Sequence, residues 1–172
     1  MRIALALIAA SIVLFAKDPS GVGAAASACG PMDVTFDVQK DSSPQPIPHP
    51  DPGRALVYVV QEDCVGWGCP SSKVAVDGAW VGVNLNKSYF SFPVNPGVHH
   101  VCATLQSRSS IEARYVGLLH FTAEAGAIYY FRPRLLYSAA PKIIAVDLEP
   151  IDSDQGKLLT SEYPMSVSHL RK

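Results

Sequence analysis

The stretch that most constrains the fold of this chain is residues 74–101, VAVDGAWVGVNLNKSYFSFPVNPGVHHV. Short runs of β-branched and aromatic residues alternate in it with turn-forming residues, as in strands joined by tight turns. Asp77-Gly78 is a favoured two-residue hairpin turn, because both of its central positions need a positive φ. Asn95-Pro96-Gly97 combines a proline of preset φ with a glycine that tolerates positive φ. With a further turn at 84–87, the pattern predicts a β-meander of about four strands over residues 74–105.

Further strands are predicted on both sides of this meander. Residues 54–61, RALVYVVQ, are apolar on both faces, which is typical of a strand in the centre of a covered sheet. Other runs predict strands at 34–38, 115–122, 127–135 and 143–148. No repeat with a period of roughly 20 to 50 residues recurs, which excludes propellers and solenoids. The sequence therefore predicts an all-β fold, an antiparallel β-sandwich of immunoglobulin-like or transthyretin-like type with about eight strands.

One short helix is predicted near the C-terminus. Residues 153–159, SDQGKLL, follow Asp152, and either Asp152 or Ser153 can cap the first turn. Gly156 weakens this helix because glycine lowers helix propensity. The tail after Pro164 is predicted to be irregular.

Proline divides the chain into segments. Residues 40–53, KDSSPQPIPHPDPG, contain five prolines in fourteen residues, which favours an extended, polyproline-like spacer over a paired strand. We therefore divide the sequence into a signal peptide (1–28), an N-terminal strand (29–40), a Pro-rich linker (41–53), a β-sandwich domain (54–150) and a short helix with a tail (151–172).

The first 28 residues are typical of a secretory signal peptide. Arg2 supplies a positive start, and Ile3 to Phe15 form an apolar run that is too short to span a bilayer. The small residues of Ala26-Ser27-Ala28, directly before Cys29, form the best cleavage site. The sequence thus predicts export to the periplasm or cell surface of a bacterium, with no transmembrane helix in the mature chain.

Cys29 also allows a second interpretation, because Ala-Ser-Ala-Cys resembles the lipobox at which bacterial lipoproteins are cut and acylated. A lipobox normally follows directly on the apolar run, whereas Lys17, Asp18 and Pro19 intervene here. Ordinary cleavage is favoured for this reason. A lipid anchor at Cys29 on an outer-membrane accessory lipoprotein remains the alternative.

The chain has four cysteines, an even number that favours disulfides in an exported protein and allows three pairings. We favour Cys64 with Cys69, because the two glycines between them let the backbone curl tightly. Cys29 would then pair with Cys102 and pin the N-terminus. A metal site is disfavoured, because the C-x4-C spacing fits zinc poorly.

Several short motifs occur in the order of a known family. They are PGRALVYV at 52–59, VDGAWVG at 76–82, SYFSF at 88–92, PGVH at 96–99, TAEAG at 122–126 and YYFR at 129–132. With CGP at 29–31 and LEPIDS at 148–153, they resemble the exported bacterial family called domain of unknown function 2846. The resemblance covers residues 29–170 and implies a secreted or envelope-located β-domain with no established activity and no catalytic residues. The spacing of VDG-x-x-VG and PG-x-H is more loosely similar to PEGA-type surface β-domains, which implies a cell-surface module.

The charge balance and the positions of the histidines argue against nucleic-acid binding and metal binding. Lys plus Arg total 14 against Asp plus Glu 15, so the chain offers no basic field for nucleic acid. His99 and His100 are adjacent on a predicted strand and point to opposite faces, so both cannot ligate one metal ion. His120 could add a third nitrogen only if its strand is a neighbour. No metal or other cofactor is predicted.

The other candidate groups point more to structure than to catalysis. The acids at 147, 149, 152 and 154 lack the glycine-bearing loop of an EF-hand, so a polar edge leading into a helix cap is favoured. The serines at 107, 109 and 110 lack the G-x-S-x-G context of a nucleophile elbow. Trp67, in the loop between Cys64 and Cys69, and His99 are the residues that we name as possible ligand or partner contacts.

Together these observations predict an exported, noncatalytic β-sandwich that acts as a binding or structural module of the envelope or periplasm. Its partner would be an unknown envelope protein or a glycan, and no nucleic acid is expected. A small hydrolase with an unrecognised site is the alternative from the enzyme class.

Overall fold

The computed structural model describes residues 27–44, 48–63, 70–106, 116–139 and 142–171. Within these ranges the chain forms ten strands and one helix. They are β1 (Phe36–Asp41), β2 (Ala55–Gln61), β3 (Ser71–Val76), β4 (Ala79–Asn84), β5 (Ser88–Val94), β6 (Gly97–Gln106), β7 (Gly117–Ala123), β8 (Ile128–Ala139), β9 (Lys142–Pro150), α1 (Ser153–Glu162) and β10 (Met165–Leu170).

The strands form two sheets, which confirms the predicted all-β sandwich with one short C-terminal helix. The six-stranded sheet has the order β1-β10-β5-β2-β8-β9, and the four-stranded sheet has the order β4-β3-β6-β7. Most neighbouring pairs are antiparallel, but β2 runs parallel to β8 and β10 runs parallel to β5. These two pairs require the chain to cross between strands that are distant in sequence.

The core lies between the facing sides of the two sheets. Val57, Val59 and Phe90 of the six-stranded sheet are buried against Val74 and Val101 of the four-stranded sheet. Every residue of β2 is buried, as the apolar run from Ala55 to Val60 predicts for a central strand. Its neighbours β5 and β8 complete the centre of the larger sheet.

The predicted meander over residues 74–105 is wrong in its pairing. Asp77 and Gly78 have φ values of 49° and 85° and join β3 to β4 as the predicted hairpin. The following strand, β5, pairs with β2 in the other sheet, and β6 returns to pair with β3. Turn residues determine where the chain bends, but packing of the apolar faces determines which strand becomes the neighbour.

The tail after Pro164 is not irregular, because residues Met165–Leu170 form β10. This strand pairs along its length with β1, so the first and last strands of the described residues are neighbours in the six-stranded sheet. The hydroxyls of Ser166 and Ser168 accept hydrogen bonds from the backbone N–H groups of Leu85 and Val83, beside β4. Serines therefore occupy the positions where an amphipathic strand pattern would have apolar residues.

The helix α1 covers the outer face of the six-stranded sheet. Its N-cap is Asp152, one of the two predicted caps, whose carboxylate accepts a hydrogen bond from the N–H of Asp154. Leu159 is buried among Tyr58, Tyr130 and other apolar side chains of that face. In the described part of the chain, no helix has the length and apolar character needed to cross a membrane.

Candidate functional site

Several specific contacts join residues 27–35, the N-terminal strap, to the outer face of the four-stranded sheet. Along β3 and β6 the core residues alternate with outward-facing ones, so Ala75 and Cys102 point away from the core and towards the strap. Ala28 and Cys29 pack there and form a small apolar cluster with them. The strap thus lies where the sheet would otherwise expose apolar surface.

A disulfide between Cys29 and Cys102 fixes the strap, which confirms that predicted pairing. The two Cα atoms are 5.1 Å apart, and 73 positions of sequence separate the cysteines. Cys102 is fully buried, and neither cysteine of the described residues is free. A sulfur atom in a disulfide cannot also carry a thioether-linked lipid, so the bridge and the lipid anchor are mutually exclusive states of Cys29.

Lys73 and Trp80 form a clasp over the strap. Lys73 is only 3% exposed, and its ammonium donates hydrogen bonds to the carbonyl oxygens of Met32 and Val34, both at 2.8 Å. The same ammonium lies 4.2 Å from the centre of the Trp80 ring, in cation–π contact. The indole Nε1 of Trp80 donates to the carbonyl of Pro31 at 2.7 Å. Burial lowers the pKa of Lys73, but its contacts are those of an anchoring group.

Where the strap ends and β1 begins, the side chain of Gln106 in β6 binds the backbone of Phe36. Its side-chain amide donates to the carbonyl of Phe36 at 2.9 Å and accepts from the N–H of Phe36 at 2.8 Å. Through this two-way contact, a side chain imitates the pair of backbone hydrogen bonds that a neighbouring antiparallel strand would make. It ties the end of β6 in one sheet to the start of β1 in the other.

Asp77 and His99 form the closest acid–histidine pair of the described residues. Nδ1 of His99 lies 2.6 Å from Oδ2 of Asp77, and Nε2 lies 2.7 Å from the carbonyl oxygen of Asn95. Oδ1 of Asp77 accepts from the N–H of His100 at 2.9 Å. Because both ring nitrogens face acceptors, the doubly protonated imidazolium fits this site best.

The pKa shifts of both groups agree with a charged pair: the pKa of His99 is raised and that of Asp77 is lowered. Burial opposes the charged form of His99, but its hydrogen bonds to Asn95 and Asp77 outweigh burial and raise its pKa. Burial likewise opposes ionisation of Asp77, but the N–H of His100 and the ring of His99 prevail and lower its pKa. Neither nitrogen of His99 is left to take a proton from a substrate, so the pair joins two turns and does not form a catalytic dyad.

His99 and His100 lie on opposite faces of the sheet, as predicted from alternation, and His120 shares the outer face with His100. His99 points inward and packs on Phe121, with ring centres 5.7 Å apart. His100 and His120 are direct cross-strand neighbours on the outer face, with ring centres 6.1 Å apart. Across the described ranges, no three His, Cys, Asp or Glu side chains gather as a metal site would require.

The C-terminal acids are engaged in structural contacts. Glu149 binds Arg132 through a short side-chain hydrogen bond and also pairs with Arg134 at 3.2 Å. Hydrogen bonding to Arg132 is the main reason that the pKa of Glu149 is lowered. Arg132 also pairs with Glu62 at 2.7 Å, across to the end of β2. The favoured interpretation of a polar edge agrees with these contacts.

Tyrosines line the face that α1 covers. The rings of Tyr58 and Tyr130 stack with centres 5.1 Å apart, and Tyr89 packs beside Tyr58 at 5.9 Å. The hydroxyl of Tyr58 donates to the carbonyl of Pro48 at 2.8 Å. Burial raises the pKa of Tyr58, so its phenol stays protonated as a donor. This contact ties the Pro-rich segment to the centre of the sheet.

Some candidate residues lie outside the described residues. They are Cys64, Trp67 and Cys69, with the local disulfide predicted between the two cysteines, and the serines at 107, 109 and 110. Of the two residues named as possible contacts, the structure places only His99, and its side chain is held by Asp77 and Asn95.

The sequence reasoning missed Lys73 and Gln106. Lys73 lies in SSKVAV, where a lysine on a hairpin strand normally suggests a solvated face. Only the strap, distant in sequence, makes its position buried. The signal for the strap was Cys29, because its predicted bridge to Cys102 already placed that residue beside the strand that contains Cys102.

Comparison of the chain with protein-family models, curated proteins and solved structures gave no match. The resemblance to the domain of unknown function 2846 family therefore stays a prediction.

Proposed function

We propose that the chain is an exported, noncatalytic β-sandwich that serves as a binding or structural module in a bacterial envelope. The disulfide between Cys29 and Cys102 carries this proposal, because such bonds persist in oxidising compartments and are rare in the cytosol. Cys102 is fully buried, and the bridge closes a long loop, as in a structural disulfide.

The contacts that the polar side chains make within the protein support the noncatalytic part of the proposal. His99 has acceptors at both ring nitrogens, and Lys73 binds two backbone carbonyls of the strap. Glu149 is neutralised by two arginines. A catalytic base, nucleophile or acid needs a free face towards a substrate, whereas these groups hold segments of the protein together.

Expression of the full-length chain in a bacterial host with an oxidising periplasm tests export. We expect processed protein in the periplasmic or envelope fraction, with the Cys29 and Cys102 peptides joined before reduction and separated after it. The matched control begins with Met followed by Ser27, and it should remain cytoplasmic with alkylatable thiols. Unprocessed, reduced full-length protein in the cytoplasm would contradict the proposal.

The hydrolase alternative is tested with the purified, oxidised protein. Model ester, peptide and glycoside substrates should show no turnover above buffer. Turnover that co-purifies with the protein and disappears in His99→Gln or Lys73→Met would argue for an enzyme.

A further inference from the structure

We propose that signal cleavage occurs at the Ala26–Ser27 bond, so that the mature chain begins at Ser27 and keeps Ala28. This inference rests on the proposed export and specifies its processing site. It moves the cut two residues upstream of the Ala28–Cys29 bond that the Ala26-Ser27-Ala28 pattern favours. The reason is that Ala28 is part of the folded structure.

Ala28 is built into the four-stranded sheet as firmly as a core residue. Its side chain is 1% exposed and packs against Ala75 and Cys102 on the outer face of that sheet. Its carbonyl oxygen accepts a hydrogen bond of 3.0 Å from the N–H of Gly78. Gly78 lies in the turn between β3 and β4, so Ala28 joins the strap to that hairpin.

The strap approaches this turn closely just before Ala28 as well. A Cβ added to Gly78, whose φ is +85°, would lie 2.9 Å from the carbonyl oxygen of Ser27. Glycine therefore meets two demands at this position, the positive φ of the turn and the close passage of the strap backbone. Ser27 itself is exposed, so an α-amino group on Ser27 would lie at the surface.

Cleavage at Ala28–Cys29 would remove these contacts from the protein that folds. The N–H of Gly78 would lose its acceptor, and the apolar surface of Ala75 and Cys102 under the Ala28 methyl would be uncovered. The new ammonium group would also fall on Cys29, next to the disulfide and to Gly30, which fits tightly against the Trp80 ring. A charge at this position opposes burial of the strap.

The sequence is compatible with the upstream cut. Ala24 and Ala26 place small residues at the −3 and −1 positions of the Ala26–Ser27 bond, as Ala26 and Ala28 do for the downstream bond. Both bonds therefore satisfy the small-residue rule. The fold distinguishes them, because only the upstream cut leaves a complete strap. The same argument opposes lipoprotein processing, which makes Cys29 the first residue.

Intact-mass and N-terminal peptide analysis of the exported protein tests this inference directly. A mature chain that begins at Ser27 supports it. A chain that begins at Cys29, with or without a diacylglyceryl group, overturns the inference while export still holds. Full-length protein that stays in the cytoplasm would instead count against the proposed export.

A second measurement compares oxidised chains prepared to begin at Ser27 and at Cys29. We expect the chain beginning at Cys29 to melt roughly 2 to 6 °C lower, since it lacks one hydrogen bond and one buried methyl group. The matched control begins at Ala26 and should melt with the Ser27 chain. Equal melting temperatures for the Ser27 and Cys29 chains would remove the structural basis of the inference.

Discussion

At the scale of single residues, the structure assigns two tasks to Asp77. It adopts the positive φ that the hairpin turn requires, and its carboxylate accepts from the ring of His99 and the N–H of His100. The turn could be predicted from the Asp-Gly dipeptide alone. The histidine contact could not, because it depends on the pairing of β3 with β6, which brings residues 22 positions apart together.

The pair of Asp77 and His99 should make stability depend on pH. Folding raises the pKa of His99, so its contribution is fully present below about pH 6.5 and is lost as pH rises through the folded pKa. Folding lowers the pKa of Asp77, so its contribution is present above about pH 4 and is lost as pH falls through the folded value. We expect the free-energy gap between wild type and His99→Gln to be larger at pH 5.5 than at pH 9.

Urea unfolding at the two pH values measures this gap. His120→Gln is the matched control, because His120 is exposed on the outer face and its substitution should change the free energy of unfolding less. A gap for His99→Gln that stays constant with pH would rule out an imidazolium at this position.

Lys73 provides a second test at the residue scale. Lys73→Met keeps an apolar stem but leaves the carbonyls of Met32 and Val34 without their donor and removes the contact with Trp80. We expect a loss of about 1 to 3 kcal/mol in the free energy of unfolding, with faster hydrogen exchange in the strap. Lys157→Met, on the exposed side of α1, should change neither quantity. A neutral Lys73→Met would show that the clasp does not hold the strap.

At the scale of secondary-structure elements, predictability depended on how each element is buried. The apolar run of β2 predicted its strand, and the start of α1 was narrowed to a cap at Asp152 or Ser153, since local sequence carries each signal. The strand β10 was missed because Ser166 and Ser168 face the edge of β4, where hydroxyls satisfy backbone N–H groups. Its polar inward positions remove the alternation that identifies a strand.

The docking of α1 depends on Gly156, the residue that weakens the helix in isolation. A Cβ at this position would lie 2.3 Å from the Tyr130 ring. Alanine has the higher helix propensity by about 1 kcal/mol, yet we expect Gly156→Ala to destabilise the protein by about 1 to 3 kcal/mol through overpacking. Thermal unfolding against Ser161→Ala, an exposed position on the same helix, measures the difference. A more stable Gly156→Ala variant would mean that α1 does not pack this closely on Tyr130.

At the scale of the whole molecule, the disulfide joins the strap to β6, in the middle of the chain. With a closed loop of this length, the chain-entropy model gives a contribution of roughly 4 kcal/mol. We therefore expect reduction to lower the free energy of unfolding by about that amount, as measured by urea unfolding with and without reductant. The variant Cys29→Ser with Cys102→Ala should start at the lower stability.

That double variant is also the control for the other two cysteines, because any remaining effect of reductant on it must come from Cys64 and Cys69. If the wild type were as stable reduced as oxidised, the strap would be held by Lys73 and Trp80 without help from the bridge.

The sequence by itself determined the class of the fold, its central strand and the turn at Asp77-Gly78, and it favoured the bridge from Cys29 to Cys102 among three possible pairings. These follow from local hydrophobic pattern, turn chemistry and cysteine count, which act over a few residues or through simple pairing. Only the tertiary structure decided which sheet each strand joins and that residues near Ala28 are buried. Those outcomes depend on contacts between segments that are far apart in sequence, such as Lys73 with the strap and Gln106 with β1. No local pattern encodes such contacts, since each partner alone has the sequence of a solvated surface.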